Sequence, residues 1–94
     1  AFIYEPLVQG AGGMLMPAPE RYERLIRRAR EAGAVVIADE VMTGFGRTGP
    51  CFASELLAEK PDIICVAKGL SGGMLPLAAT LVSGAVWEPF DDPS

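Results

Sequence analysis

Residues 35 to 40, Val35-Val36-Ile37-Ala38-Asp39-Glu40, form a short apolar run that stops on two adjacent carboxylates. Apolar throughout rather than alternating, Val35 to Ala38 reads as a strand covered on both faces, the pattern of a parallel sheet. Upstream, Ala1 to Tyr4 reads as another buried strand, and Glu5-Pro6 opens a loop that runs through Gln9-Gly10-Ala11-Gly12-Gly13. Between the two strands the spacing predicts a helix. Pro19 suits its first turn and Gly33 the residue past its end, while Tyr22, Leu25, Ile26 and Ala29 recur as an inward stripe. Strand, helix, strand implies an α/β fold with parallel strands.

Downstream of Glu40 a glycine-rich loop leads to a short helix expected over Phe52 to Glu59. Pro61-Asp62 restarts the chain into a third strand, Ile63 to Ala67, which ends at Lys68. A fourth strand, Ala78 to Val82, follows Gly72-Gly73 and Pro76. There is no internal repeat, low-complexity tract or linker. Gly44-Phe45-Gly46-Arg47-Thr48-Gly49 fits the G-x-G-x-x-G pattern of dinucleotide loops, but its context does not. Pro50 follows at once, the acidic pair precedes the loop, and the next strand ends in a lysine rather than a ribose-binding acid. The glycines are expected to serve a tight loop.

Composition narrows the rest. The 94 residues are half hydrophobic and open inside a strand without an initiator Met, so the sequence reads as a piece of a larger protein. A net charge of -4 argues against a nucleic-acid surface. Arg21, Arg24, Arg27, Arg28 and Arg30 alternate with Glu20, Glu23 and Glu31, the pattern of a solvated helix face. Histidine is absent, which removes Ser-His-Asp and Cys-His catalysis and most zinc sites from what these residues supply alone. Cys51 and Cys65 are not spaced as a metal or redox pair. No apolar run approaches the roughly 18 residues of a membrane span, and a cytoplasmic protein without membrane partners is expected.

Asp39 alone reads as a cap on the following turn, and Lys68 alone as a solvated residue at a strand end. Together they carry more. Ligands of α/β sheets collect beyond the carboxyl ends of the strands, so neighbouring strand ends would bring both side chains to one crevice. An amine there can form a Schiff base with an aldehyde, and a carboxylate can keep a pyridine nitrogen protonated so that the ring accepts electrons. Those are the requirements of pyridoxal 5'-phosphate chemistry.

Three stretches then carry a family resemblance: Glu5 to Gly10, Ile37 to Gly49, and Pro61-Asp62-Ile63 through Ala67-Lys68-Gly69-Leu70-Ser71-Gly72-Gly73. In order and spacing they resemble the class III, fold type I aminotransferases over nearly the whole chain. The resemblance implies part of the large domain of a fold type I pyridoxal-phosphate transferase, a mostly parallel sheet with flanking helices. Residues 1–94 would then lie within the cofactor-binding domain, with no internal boundary. It also implies that Asp39 holds the pyridinium nitrogen and that Val41 packs against the ring if the strand continues. Lys68 would bind the cofactor and shuttle the substrate proton. Glu40 and Glu5 would be structural, Glu5 at the base of its loop. A small-molecule amino donor, a keto acceptor and a homodimer complete what the family implies.

Departures within the family narrow the branch. Ornithine and γ-aminobutyrate members carry a glutamate where this chain has Ala11 and a glutamine where it has Met42. Gln9 to Met14, Phe52-Ala53-Ser54-Glu55, and Ser71 through Pro76-Leu77-Ala78 instead resemble the biotin-synthesis branch. That branch uses S-adenosylmethionine to convert 8-amino-7-oxononanoate to 7,8-diaminononanoate. The alternatives are an ω-amino-acid:pyruvate transaminase, glutamate-1-semialdehyde aminomutase, or an inactive truncated chain. The last is motivated by the phosphate loop, ring-stacking aromatic and substrate arginine of the family, none of which falls within residues 1–94.

Overall fold

The computed structural model describes residues 1–91; the closing Asp92-Pro93-Ser94 lies outside the described residues. Four strands form one sheet in the order β1-β2-β3-β4: β1 (Phe2–Tyr4), β2 (Val36–Asp39), β3 (Ile63–Val66) and β4 (Ala79–Val82). β1 pairs with β2, and β2 with β3, in parallel, whereas β4 runs antiparallel to β3. The sheet is therefore mostly parallel, as expected.

One helix, α1 (Pro19–Glu31), connects β1 to β2, with Pro19 in its first turn and Arg28 and Arg30 in its last. Its Tyr22 and Ile26 pack with Tyr4, Val36, Ala38 and Leu57 into the buried core. Leu25, expected in the same stripe, is 52% exposed. A stripe two residues wide is enough to meet the short strands, and Leu25 falls beside it.

Strand register decides which face is covered. Phe2, Tyr4, Val36, Ala38 and Ile64 share the face against α1, while Ile3, Ile37, Asp39, Ile63, Cys65 and Val82 share the other. On that second face Ile3 and Val82 are exposed and Ile37 only half-buried. The expectation of β2 buried on both faces is thus met on one face by the described residues. The strand also sits one residue later than read, from Val36; the Val35 carbonyl accepts from the Phe2 N–H while its side chain stays 38% exposed.

The helix expected over Phe52 to Glu59 is a single 3-10 turn, Ala53–Leu56. Leu57 turns extended, with φ -98° and ψ 142°, and buries its side chain in the core, while the Ala58 N–H donates to Glu23 on α1. Burying Leu57 ends the turn. Four more residues, Gly84–Trp87, make a last short helix, α2.

The amino-terminal ends of β2 and β3 are clamped by Asp62. Its carboxylate accepts from the Val36 N–H at 2.8 Å and from Arg30 of α1 at 3.3 and 3.4 Å, and Arg30 also bonds the Lys60 carbonyl and pairs with Glu59. The opposite ends of the same strands are left for the loops.

Candidate active site

The loops after β1, β2 and β3 leave the sheet at its carboxyl ends. They meet in a recess of about 340 Å³ lined by Glu5, Gly10, Asp39, Val41, Met42 and Lys68, among others. Asp39 and Lys68, read from the sequence as one constellation, share this recess because β2 and β3 are neighbours in the sheet.

Asp39 ends β2 on the sheet face away from α1, and its Oδ1 accepts the Val41 N–H at 3.1 Å. The capping role it could have had alone is therefore present, alongside its place in the recess. The strand stops at Asp39, so the alternation invoked for Val41 does not apply. Val41 still reaches the same recess through the turn that Asp39 caps.

Glu40 points the other way and is fully buried. Its carboxylate accepts from the Thr43 hydroxyl at 3.0 Å, from the N–H groups of Ala53 at 2.5 Å and Ser54 at 3.2 Å, and from the Ser54 hydroxyl at 2.6 Å. A buried carboxylate needs such donors to offset its lost hydration. These bonds tie both ends of the 40–54 loop together, the structural role expected of Glu40. Glu5 does the same on a smaller scale: its carboxylate accepts the N–H groups of Gly10 at 2.8 Å and Ala11 at 3.3 Å.

The sequence reading did not single out Gly10 or Met42 as parts of one wall. A Cβ on Gly10 would lie 2.9 Å from Met42 Sδ and 3.3 Å from Glu5 Oε2, so a side chain at residue 10 would have to move the end of Met42 at the recess wall. The signal was present in the glycine-rich stretch, but its contact partner lies 32 residues away. Lys68 also borders a second recess of about 340 Å³ with Arg47, Gly69, Gly72 and Gly73. A larger one, about 410 Å³, follows the edge of β1 and shares Glu5 and Asp39, but it lacks Lys68 and with it the amine.

Lys68 itself has a backbone φ of +38°, and Leu7, Met14 and Phe45 also lie in the left-handed region at 64°, 62° and 60°. All four belong to loops at the carboxyl ends of the strands. Non-glycine residues hold such conformations only where their surroundings fix them, and they gather at functional sites.

The donor set suits a pyridine cofactor bearing an aldehyde. Lys68 brings the amine that an aldehyde takes, Asp39 a carboxylate for a protonated ring nitrogen, and Val41 an apolar wall. Among the described residues no His, Cys, Asp and Glu cluster could hold a metal ion. No helix among them is long and apolar enough to cross a membrane.

Comparison with known proteins points to one family. The family model described as aminotransferase class-III matches residues 1–94. The adenosylmethionine-8-amino-7-oxononanoate aminotransferase of Synechococcus elongatus is 52% identical over 90 residues, 96% of this chain and 21% of that protein. The putrescine aminotransferase of Pectobacterium atrosepticum is 47% identical over 95 residues, 99% of this chain and 20% of that protein. Among solved structures, an (S)-enantioselective omega-transaminase from Thermomicrobium roseum superposes with a TM-score of 0.89 at 42% identity, covering 96% of this chain and 20% of that one. The chain spans about a fifth of the length of the curated relatives it matches.

Proposed function

The chain belongs to the class III aminotransferases, and from that membership we propose that the protein carrying it transfers an amino group from S-adenosylmethionine to 8-amino-7-oxononanoate, giving 7,8-diaminononanoate. The observation that carries the reaction type is the shared recess of Asp39 and Lys68 at the ends of adjacent parallel strands. Support for this substrate pair comes from the 52% identity to a relative named for it, and from Ala11 and Met42 in place of the acid and amide of other branches.

Class III aminotransferases in general depend on pyridoxal 5'-phosphate. When bound, that cofactor supplies an aldehyde for amine exchange and a ring that draws electrons from the substrate Cα–H bond. Lys68 would hold it through Nζ and would carry the substrate proton at the same atom. Asp39 would accept the proton of the ring nitrogen in a charge-assisted hydrogen bond that favours the cationic ring. Val41 packs beside the ring and excludes water. Residues 1–94 then form an undivided part of the cofactor-binding domain, in a cytoplasmic homodimer that acts on small molecules.

Donor choice tests the reading. Purified full-length protein, given 8-amino-7-oxononanoate and S-adenosylmethionine, is expected to form 7,8-diaminononanoate. A second reading, a class III transaminase using another primary amine, is favoured by the 47% identity to a putrescine aminotransferase and by the omega-transaminase likeness. Amino transfer from putrescine or an ω-amino acid with none from S-adenosylmethionine would decide for it.

A further inference from the structure

We propose that Phe45 is a positioning residue for Lys68, acting through Gly69, the residue that follows the lysine. The inference rests on the reading of Lys68 as the cofactor-binding amine. Phe45 and Gly69 come from different loops, one after β2 and one after β3, and they meet without an intervening side chain. A Cβ built on Gly69 would stand 3.0 Å from Phe45 Cβ, 3.1 Å from its Cδ2 and 3.3 Å from its Cγ. Any larger residue at 69 would push the lysine turn away from the ring.

Both partners are held on their other sides. The Phe45 ring meets Phe52 edge-on at 5.6 Å, and the Gly44 N–H donates to the Glu40 carbonyl at 2.9 Å. Glu40 is itself anchored to Ala53 and Ser54, so the ring rests on a fixed loop. Across the contact, the lysine turn is tight: the Leu70 N–H donates to Ala67 at 2.8 Å and the Gly72 N–H to Gly69 at 3.3 Å. Phe45 and Lys68, at φ +60° and +38°, are two of the four non-glycine left-handed residues among the described ones; Lys68 precedes Gly69 in the chain and Phe45 packs against it. Strain of this kind persists where neighbours determine the backbone, and the Phe45 ring is the neighbour that Gly69 admits.

The position of Phe45 separates this role from ordinary packing. It is 40% exposed, lies outside the core formed by the sheet and α1, and does not line the recess shared by Asp39 and Lys68. The consequence of the contact therefore falls on where Lys68 stands. A side chain held loosely in a site loses function even when it is chemically intact.

The test uses the full-length protein with Gly69→Ala, Phe45→Ala, Phe45→Leu, Lys68→Ala and the double variant Gly69→Ala/Phe45→Ala. The readouts are the dissociation constant for pyridoxal 5'-phosphate, the pH midpoint of the bound cofactor's visible band, and thermal unfolding of the cofactor-free protein. Gly69→Ala is expected to raise the dissociation constant by about tenfold or more and to move the pH midpoint, with little change in unfolding. Phe45→Ala is expected to move both readouts in the same direction, and because the two changes break one contact, the double variant should lose less than the sum of the single losses. Phe45→Leu should stay nearer the parent than Phe45→Ala. Unchanged binding and pH midpoint in Gly69→Ala, or single losses that simply add in the double variant, would overturn the proposal. If Gly69→Ala does not fold, Phe45→Ala decides by the same two readouts. Parent-like binding and the same band in Lys68→Ala would instead overturn the reading of the lysine beneath it.

Discussion

The two ends of the sheet are built on opposite terms. At the amino-terminal end Asp62 gathers the Val36 N–H and the Arg30 guanidinium, and no non-glycine residue among the described ones there leaves the ordinary backbone regions. At the carboxyl end four non-glycine residues take left-handed conformations, and an amine and a carboxylate stand in one recess. One end holds the strands in register; the other spends that rigidity on placing Asp39 and Lys68. Substitutions at the two ends should therefore separate, the amino end changing stability and the carboxyl end changing chemistry.

The largest separation is expected at Lys68. Lys68→Ala in the full-length protein should lower amino transfer by at least about 10³-fold, with thermal stability nearly unchanged, as steady-state rates beside a melting curve would show. Near-parent turnover would remove the distinction between the ends. Glu40 probes the boundary, because it lies at the carboxyl end but is built like the clamp. Glu40→Ala strips the partner from two backbone N–H groups and two hydroxyls, and should cost about 3 kcal/mol or more of folding stability in denaturant unfolding. A fully stable Glu40→Ala protein would show that the 40–54 loop is held by something else.

Asp39→Ala should retain bound cofactor and lose about 10²-fold in kcat, since an unpaired ring nitrogen gives up its charge-assisted contact. Ordinary turnover in that variant would show the carboxylate to be a turn cap alone. Asp62→Ala is expected to cost about 1–2 kcal/mol of stability while leaving kcat and KM near the parent values. A change in kcat larger than its change in stability would couple the two ends.

The smallest effect concerns Tyr4, whose buried hydroxyl has no hydrogen-bond partner among the described residues. Burial first, and the nearby Glu40 charge second, push its pKa from the ordinary 10.0 to about 12. The unfolded chain then gives up that proton before the native one, so the associated stability is intact below pH 10 and is lost as pH rises toward 12. Tyr4→Phe should flatten this alkaline loss at little or no cost at neutral pH. An unchanged slope between those pH values would assign the loss to other groups.

Much of this architecture is legible in the sequence. The apolar runs locate all four strands to within a residue or so, and Pro19 and Gly33 bracket α1. Asp39 and Lys68 can be paired because each closes a run, and parallel neighbours bring such closures together. What escapes is non-local. Glu40 reads as structural, yet its partners at 53 and 54 cannot be named from spacing. Nothing in the sequence says that Leu57 leaves the turn to reach α1, or that Gly69 is small for the sake of a ring 24 residues earlier. The left-handed conformations of Phe45 and Lys68 are equally silent, because neither residue type favours them.

The claim that Lys68 is the amine of the site can be tested by one chemical measurement. The full-length protein, loaded with pyridoxal 5'-phosphate and reduced with borohydride, should carry the pyridoxyl group on Lys68 when the modified residue is mapped by mass spectrometry. A label found on Lys60 or elsewhere, with Lys68 unmodified, would contradict the account.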